Sequence, residues 1–215
     1  MSVKTDKKRA LIIETARKVF AAKGYREVTM KDIVDAGSFS RGGLYLYFSS
    51  VEELFLAVLE EEEKKTDTEI EQEQLQDATN VKMLLWFLKL QKKELLLKKD
   101  SLMTAKYEYA FACNEIACNE IACGGSADGP NAGAKKSKAS PLKKERKKAL
   151  LVLQKILERG MESGEFACLD AAYEAENMML AIDGMKLLAC TLGITEKKID
   201  NEFLYMMQRI VIEEE

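Results

Sequence analysis

TMKDIVDAGSFSRGGLYLYF, at residues 29–48, is the stretch that decides the fold, because it predicts two short helices joined by a tight turn. Thr29 can cap the first helix, with Asp32 three residues later as the acidic half of a capping box. A Gly-Ser pair then interrupts the apolar pattern, and Ser40 is placed to cap a second helix that runs through Phe48. Two helices around a short glycine-containing turn form the helix-turn-helix motif, whose second helix enters the major groove of DNA.

The second predicted helix has an inner and an outer face. Leu44 and Phe48 are four residues apart and are expected to pack inward. Two glycines in its first turns each cost about 0.8–1.0 kcal/mol relative to alanine. This cost favours a bare surface that approaches base edges, and a poorly formed turn in any helical protein is the alternative. The residues predicted to contact DNA are Thr29, Ser40, Arg41, Gly42, Gly43, Tyr45 and Tyr47.

Two of these residues have distinct predicted partners. Arg41 is the only long, charged side chain at the start of the second helix, and arginine commonly pairs with guanine through two hydrogen bonds. The hydroxyl group of Tyr45 is expected to donate to a DNA phosphate. A dimer that presents two such helices would bind a pseudo-palindrome in double-stranded DNA.

The sequence on either side of the motif resembles the TetR family of transcriptional regulators. RALIIETARKVFAAKGYREVTM at residues 9–30 is similar to the family's opening helix, with apolar pairs at helical spacing, then Gly-Tyr and a threonine cap. LYLYFSSVEELF at residues 44–55 is similar to the family's Leu-Tyr-x-Tyr-Phe, followed by a small polar pair and acidic residues. The resemblance covers about residues 9–60.

The resemblance implies an all-α chain in which an N-terminal three-helix helix-turn-helix head is attached to a larger helical body. It assigns residues 1–49 to the DNA-binding domain and residues 50–215 to a ligand-binding and dimerisation domain. The implied function is that of a ligand-responsive repressor, which binds a pseudo-palindromic operator as a homodimer and is released by a small apolar molecule. The alternative is a DNA-binding protein that is controlled by a protein partner, or that acts architecturally without a small-molecule ligand.

Three features depart from the family's pattern. The turn has Gly37-Ser38 where the family usually has Ala-Gly, so the glycine is displaced by one residue. The other two are single positions. Leu46 stands between the two tyrosines, where a polar residue, often histidine, is usual. Val51 replaces a lysine that commonly touches phosphate at the start of the fourth helix. Both changes remove potential phosphate contacts, and neither affects the fold.

The charge of the chain is unevenly distributed. Residues 1–50 carry ten Lys and Arg against five Asp and Glu, a net charge of +5. The whole chain has a net charge of −3, which leaves −8 for the remainder. A basic head on an acidic body suits a small nucleic-acid-binding module attached to a domain that does not bind nucleic acid.

Composition also excludes several classes of function. The chain contains no histidine, which excludes His-based catalysis and His-ligated metal sites, and it has neither a nucleotide-binding glycine loop nor a distinct pair of carboxylates. We therefore expect neither an enzyme nor a cofactor. Five cysteines, an odd number without a disulfide framework, favour a reducing cytoplasm. The chain shows no signal segment, and its apolar runs are far too short to span a bilayer, so we expect no membrane partner.

A short duplication lies in the middle of the chain. ACNEI at residues 112–116 is repeated immediately and is followed by a stretch rich in Gly, Ala and Ser, so residues 113–139 are expected to form a flexible insert. Cys113, Cys118 and Cys123 recur every five residues, which turns about 140° around a helix, so the three thiols would not share a face. We therefore predict no metal site.

Residues 80–111 carry the densest apolar and aromatic content of the chain, which predicts core packing for most of them. The resemblance implies that some line a ligand cavity, and methionine and aromatic side chains suit an adaptable apolar pocket. Asp183 and Glu108 are the acids most closely flanked by apolar residues, which favours a lipophilic cation as the effector. The residues predicted to bind the ligand are Trp86, Phe87, Leu90, Met103, Tyr107, Phe111, Met178, Met179, Ile182 and Asp183.

Residues 142–162 and 170–192 predict two long helices that are apolar over more than one narrow stripe. Each is therefore expected to contact the core on one side and a partner on another. In the family that this chain resembles, two long helices separated by a turn like Gly164-Glu165-Phe166 form a four-helix bundle with their copies in a second subunit. We therefore predict a homodimer that is held by these helices.

Overall fold

The computed structural model describes residues 3–72, 78–96, 101–122 and 141–212. These residues are helical apart from turns and one isolated antiparallel bridge between Phe166 and Val211, so the predicted all-α fold is confirmed. Among the described helices, none is long and apolar enough to cross a membrane. The helices are α1 (Val3–Lys23), α2 (Met30–Gly37), α3 (Arg41–Tyr45), α4 (Val51–Gln72), α5 (Asn80–Leu96), α6 (Met103–Ala122), α7 (Pro141–Glu162), α8 (Ala171–Thr191) and α9 (Glu196–Gln208).

The chain divides into two compact units. The first contains Met1–Glu71 and Lys99–Lys144, and the second contains Gln72–Lys98 and Glu145–Glu215. The first unit therefore includes α6, which lies far from the helix-turn-helix in sequence. The second unit includes α5, α8 and α9. The domain boundary after residue 49 stays a prediction.

One face of α1 is buried in the core of the first unit. Ile12, Ala16 and Phe20 are fully buried at helical spacing. The helix ends at Gly24, which takes a left-handed conformation with φ of +81° and donates its N–H to the carbonyl of Phe20 at 2.9 Å. The other large buried apolar residues of this core are Ile13, Val28, Ile33, Leu44, Phe48, Leu54, Phe55, Val58, Leu59, Leu102 and Tyr109.

One carboxylate attaches α6 to the end of α1. Oε2 of Glu108 accepts the backbone N–H of Tyr25 at 2.6 Å and that of Arg26 at 3.0 Å. Gly24 makes room for this contact, because a Cβ atom on it would lie 2.5 Å from Oε2 of Glu108. Backbone N–H groups that are withdrawn from water need such partners. Glu108 therefore joins two segments that lie 83 residues apart in sequence.

Aromatic packing supports the same junction. The ring of Tyr109 is buried and lies 4.9 Å from the ring of Tyr25 and 5.4 Å from that of Phe55. Its hydroxyl group donates to Oε1 of Glu52 at 3.1 Å. Burial, and then the neighbouring Cys113 and Glu52, raise the pKa of Tyr109 above its usual range, so the hydroxyl stays protonated and keeps donating.

The second unit is built on the buried face of α5. Leu84, Phe87, Leu88 and Leu95 are buried at helical spacing, and α5 packs on α8 and α9. Methionine is prominent in this core, and unbranched thioether side chains fill irregular gaps. The buried methionines of α8 and α9 are Met178, Met179, Met185 and Met206.

The turn between α7 and α8 caps the start of α5. The carboxylate of Glu165 accepts the backbone N–H of Asn80 at 3.2 Å and that of Val81 at 3.1 Å, which satisfies N–H groups that a helix leaves unpaired at its first turn. The ring of Phe166 lies against α7, because a Cβ atom on Gly160 would lie 1.9 Å from it. Gly160 is therefore required for the close approach of the turn.

The segment predicted as a flexible insert begins inside α6. Residues 113–122 are helical because α6 continues through Ala122, and the repeated Ala and Glu residues are strong helix formers. Residues 123–139 lie outside the described residues. The flexibility of the segment therefore stays a prediction.

Candidate nucleic-acid interface

A capping box starts α2, as the sequence predicts. The N–H of Asp32 donates to Oγ1 of Thr29 at 3.3 Å, and Oδ2 of Asp32 accepts the N–H of Thr29 at 2.8 Å. Lys23, at the end of α1, donates to Oδ1 of Asp32 at 2.6 Å. Hydrogen bonds from Lys23, and then from Thr29, hold the pKa of Asp32 well below its usual range. The Asp32 carboxylate therefore connects the end of α1 to the start of α2.

The turn of the motif depends on two small residues. Ser38 adopts a left-handed conformation with φ of 53°, and its N–H donates to the carbonyl of Val34. Gly37 faces the ring of Phe39, because a Cβ atom on Gly37 would lie 2.0 Å from that ring. The sequence predicts the break at this pair, and the structure adds that the serine takes the positive φ while the glycine provides space.

Ser40 caps α3, which is shorter than predicted. Oγ of Ser40 accepts the N–H of Gly43 at 3.1 Å, and Leu44 is buried beneath the helix. The helix ends at Tyr45 and does not run through Phe48. The N–H of Tyr47 donates to the carbonyl of Leu44 at 3.0 Å, which tightens the last turn and brings Phe48 into the core.

The exposed side of α3 is formed by Arg41, Gly42, Tyr45 and the cap residue Leu46, and we call these four residues the α3 outer face. A Cβ atom on Gly42 would meet no other atom within 4 Å, so the helix surface is bare there. Tyr45 is 49% exposed and Leu46 is 83% exposed. A short rigid helix with one long cation and no bulk at its centre has a shape that can approach base edges in a groove.

The other predicted DNA contacts are placed differently. Thr29 and Ser40 are exposed, each at the start of its helix, and Tyr47 is half-buried. Gly43 is buried, and a Cβ atom on it would lie 2.7 Å from Oγ of Ser40, so this glycine serves the helix cap. The structure therefore brings Gly42, and not Gly43, to the α3 outer face.

Two cations of α1 lie beside the same motif. Nζ of Lys8 lies 3.5 Å from the Cβ position of Gly43, and the guanidinium group of Arg9 lies 5.3 Å from the centre of the Phe48 ring. Neither residue was predicted as a contact. The signal that could have identified them is the basic run at residues 7–9, since clustered Lys and Arg favour binding to phosphates.

The residues predicted to bind an effector fall in both units. Met103, Tyr107 and Phe111 belong to α6 in the first unit, where Phe111 is exposed. The second unit holds the others, which are Trp86, Phe87, Leu90, Met178, Met179, Ile182 and Asp183. Phe87 and Ile182 are buried core residues. Their role in ligand binding stays a prediction.

Both acids that favoured a cationic effector already have partners. Oδ2 of Asp183 accepts a hydrogen bond from Nε of Arg146 at 2.6 Å, and the same arginine donates to Glu176 at 2.8 Å. Glu108 accepts the two backbone N–H groups at the end of α1. A ligand cation at either acid would have to displace these donors, so the structure gives a lipophilic cation no support.

Two buried polar atoms on α5 were not predicted. Oε1 of Gln91 and Nε1 of Trp86 have no hydrogen-bond partner in the described structure. Gln91 is 8% exposed and shares the buried face of α5 with Phe87, Leu88 and Leu95. A buried polar atom without a partner costs about 1–3 kcal/mol. The signal was present in the sequence, because the apolar spacing of α5 assigns Gln91 to the core.

Comparison with known families identifies the amino-terminal segment. Residues 12–58 match the family described as bacterial regulatory proteins, tetR family. The match runs from within α1, through α2 and α3, into the first part of α4. The family resemblance predicted from the sequence is confirmed for these residues.

Two curated relatives match the same end of the chain. YfiR, an HTH-type transcriptional regulator of Bacillus subtilis (strain 168), is 54% identical over 55 residues, which are 26% of this chain and 27% of YfiR. QacR, an HTH-type transcriptional regulator of Staphylococcus aureus (strain Mu50), is 36% identical over 69 residues, which are 32% of this chain and 37% of QacR. The chain therefore matches well under half of the length of either relative.

Similarity of fold extends over nearly the whole chain. A transcriptional regulator from Saccharomonospora viridis, solved in complex with choline, superposes with a TM-score of 0.74 at 18% sequence identity. The superposition covers 97% of this chain and 100% of that one. At this identity the similarity establishes a shared helical fold alone, since function resides in sites and not in folds.

Proposed function

We propose that this chain, whose residues 12–58 form a tetR-family domain, is a transcriptional regulator that binds a pseudo-palindromic, double-stranded DNA operator as a homodimer. We propose further that it is a repressor in the cytoplasm and that a small apolar molecule releases it from DNA. The observation that carries the proposal is the α3 outer face, which a capped helix on a buried Leu44 holds in one orientation.

The chemistry of the α3 outer face supports contact with base edges. Arg41 opens the helix, and a guanidinium group can donate two hydrogen bonds to O6 and N7 of guanine. Tyr45 lies one turn later on the same face, from where its hydroxyl group can reach a phosphate. Lys8 and Arg9 add positive charge beside the motif, which favours the phosphate backbone.

Selection of bound sequences from a random DNA pool tests the proposal. We expect the full chain to enrich a pseudo-palindrome, because a two-fold dimer presents two copies of α3. We also expect the logarithm of the affinity to fall linearly with the logarithm of the salt concentration. If every duplex is bound with equal affinity, the architectural alternative is favoured, and if no duplex is bound, the proposal fails.

The exposed side of α8 supports the homodimer. Tyr173, Leu180 and Leu187 recur every seven residues and are 70%, 58% and 43% exposed, with Gly184 exposed between the last two. An apolar stripe of this length is unusual on a monomer, and pairing about a two-fold axis would bury it. Leu180→Glu should convert the dimer to a monomer in light scattering. Leu204→Glu, which changes a similarly exposed leucine on α9, should leave the dimer intact.

The methionine-rich core of the second unit supports an apolar effector. Met178, Met179 and Met185 are buried on α8, and methionine adapts readily to ligands of different shape. A ligand that lowers operator affinity tenfold must bind the DNA-free form more tightly by about 1.4 kcal/mol. Trp86 is the only tryptophan and lies on α5 of the same unit, so its fluorescence reports binding. If an apolar library changes neither the fluorescence nor operator binding, control by a protein partner is favoured.

A further inference from the structure

We infer that Leu46 reads sequence, because its side chain can contact the C5 methyl group of a thymine in the major groove of the operator. The inference rests on the proposed function. It adds to that function a base preference that the hydrogen-bonding groups of Arg41 and Tyr45 do not supply.

Backbone hydrogen bonds hold Leu46 in place although its side chain is exposed. Its N–H donates to the carbonyl of Gly42 at 3.1 Å, and its φ and ψ of −67° and −23° continue the helix. Two residues later, Phe48 is 2% exposed and donates its N–H to the carbonyl of Leu44 at 3.1 Å. A fixed backbone therefore carries a side chain that is 83% exposed, so the direction of its Cα–Cβ bond is set before DNA binds.

The position of Leu46 directs its side chain across the centre of the α3 outer face. Leu46 follows Gly42 by four residues, and side chains in a helix lean toward the preceding turn. Gly42 has no side chain, and a Cβ atom on it would have no neighbour within 4 Å. The isobutyl group therefore stands beside the bare stretch of helix at Gly42, and about 140° around the helix axis from Arg41.

The chemistry of the major groove gives a leucine one favourable partner. Guanine presents acceptors there, cytosine presents a donor, and adenine presents one of each, whereas thymine presents a methyl group beside its acceptor. A leucine against any other base would withdraw polar groups from water without a hydrogen bond in return. An isobutyl group at the base edges therefore favours thymine.

The distance between Leu46 and Arg41 locates the thymine. Five residues of helix correspond to about 7.5 Å along the axis, at 1.5 Å per residue. Base pairs rise by about 3.4 Å per step. Because the two side chains are also rotated about 140° apart, we expect the thymine at least about two base pairs from the guanine that Arg41 contacts, once in each half-site.

Replacement of thymine by uracil tests the inference, because it removes the methyl group and leaves the base pair intact. The operator enriched by the full chain is synthesised with each thymine replaced in turn, symmetrically in both half-sites. We expect one such replacement to weaken wild-type binding by about fourfold per half-site, which is the value of one buried methyl group. Leu46→Ala should bind the thymine and uracil duplexes equally. Leu11→Ala, which changes a 57% exposed leucine of α1, is the matched control and should keep the full thymine preference.

Two results would overturn the inference and leave the proposed function standing. The first is a wild-type chain that binds every uracil duplex as tightly as the thymine duplex. The second is a Leu46→Ala chain that keeps the full thymine preference. A chain that enriches no sequence from the random pool would overturn the proposed function, and the inference with it.

Discussion

The two units of the chain differ in how well polar side chains are partnered among the described residues. In the first unit, Glu108 accepts two backbone N–H groups and Asp32 accepts hydrogen bonds from Thr29 and Lys23. In the second unit, Gln91 has a buried oxygen without a hydrogen-bond partner in the described structure, and the surrounding core is apolar. Carboxylates make directional contacts in both units, since Glu165 caps α5 in the second, but buried side-chain atoms without a partner among the described residues occur in the second unit alone. The difference teaches that the core of the second unit depends more on packing, which adapts more easily.

This difference matches the two tasks that we propose. A helix that reads base edges must keep its orientation, because a shift of its side chains would break hydrogen bonds to DNA. A core that accepts an apolar effector must repack around it, and methionine-rich cores do so at low cost. Substitutions that remove a hydrogen-bonding group or change the packing in one unit therefore test the comparison.

The largest change in the free energy of unfolding is expected at a glycine of the second unit. Gly160 lies against the ring of Phe166, which is 3% exposed and has no room to move away. Gly160→Ala should therefore lower the free energy of unfolding by about 2–3 kcal/mol, measured by urea denaturation with Trp86 fluorescence as the signal. Gly37→Ala in the first unit should cost less, because Phe39 is only half-buried and its ring can turn toward water. Equal costs at the two glycines would contradict this account.

The second-largest loss of stability is expected at the junction of α1 and α6. Glu108→Ala removes the acceptor of two backbone N–H groups, which should cost about 1–3 kcal/mol because both donors lose their partner. Hydrogen exchange at the amides of Tyr25 and Arg26 measures the loss directly. Glu108→Gln keeps one side-chain oxygen and should give an intermediate result. Unchanged protection of the two amides in Glu108→Ala would show that the contact contributes nothing.

A gain of stability, instead of a loss, is expected from one substitution in the second unit. Gln91→Met replaces a buried oxygen that has no partner in the described structure with an apolar side chain, which should raise the free energy of unfolding by about 1 kcal/mol. The measurement is again urea denaturation followed by Trp86 fluorescence. Gln208→Met, which changes an exposed glutamine on α9, is the control and should alter stability little. A loss of stability in Gln91→Met would mean that the amide is satisfied in solution.

The smallest expected change in stability concerns Asp32 and depends on pH. The pKa of Asp32 is lower in the folded chain than the value of about 3.9 that an unfolded aspartate has. Its carboxylate therefore stabilises the first unit above about pH 4, and this contribution is lost as the pH falls through the folded pKa. The thermal midpoint of the wild type should exceed that of Asp32→Asn at pH 7, and the gap should close on acidification. Asp35→Asn controls for the loss of one charge on α2. A gap that stays constant down to pH 2 would refute the assignment.

Local signals explain why much of the first unit could be predicted from the sequence. The caps at Thr29 and Ser40 each act on a backbone N–H three residues away, so sequence spacing reveals them. The end of α1 at Gly24 is equally local. The helix boundaries around the motif therefore followed from short stretches of sequence, except that α3 ends at Tyr45.

Long-range contacts explain what could not be predicted. The contact of Glu108 with Tyr25 spans 83 residues, and nothing in the local sequence of α6 marks it. Flanking apolar residues instead made Glu108 resemble a ligand-binding acid. The partner of Asp183 is also distant in sequence, since Arg146 lies 37 residues away on another helix. Sequence spacing identifies caps but not partners that only tertiary structure brings together.

The central claim is that the α3 outer face reads base edges, and the affinity of Arg41→Ala for the enriched operator tests it most directly. A scrambled duplex is measured alongside at the same salt concentration. We predict a loss of about 1–3 kcal/mol on the operator, with relaxed preference at one base pair per half-site and little change on the scrambled duplex. Tyr45→Phe should instead weaken binding to both duplexes alike, because its hydroxyl group is expected on a phosphate. An Arg41→Ala chain with wild-type affinity and wild-type sequence preference would contradict the account.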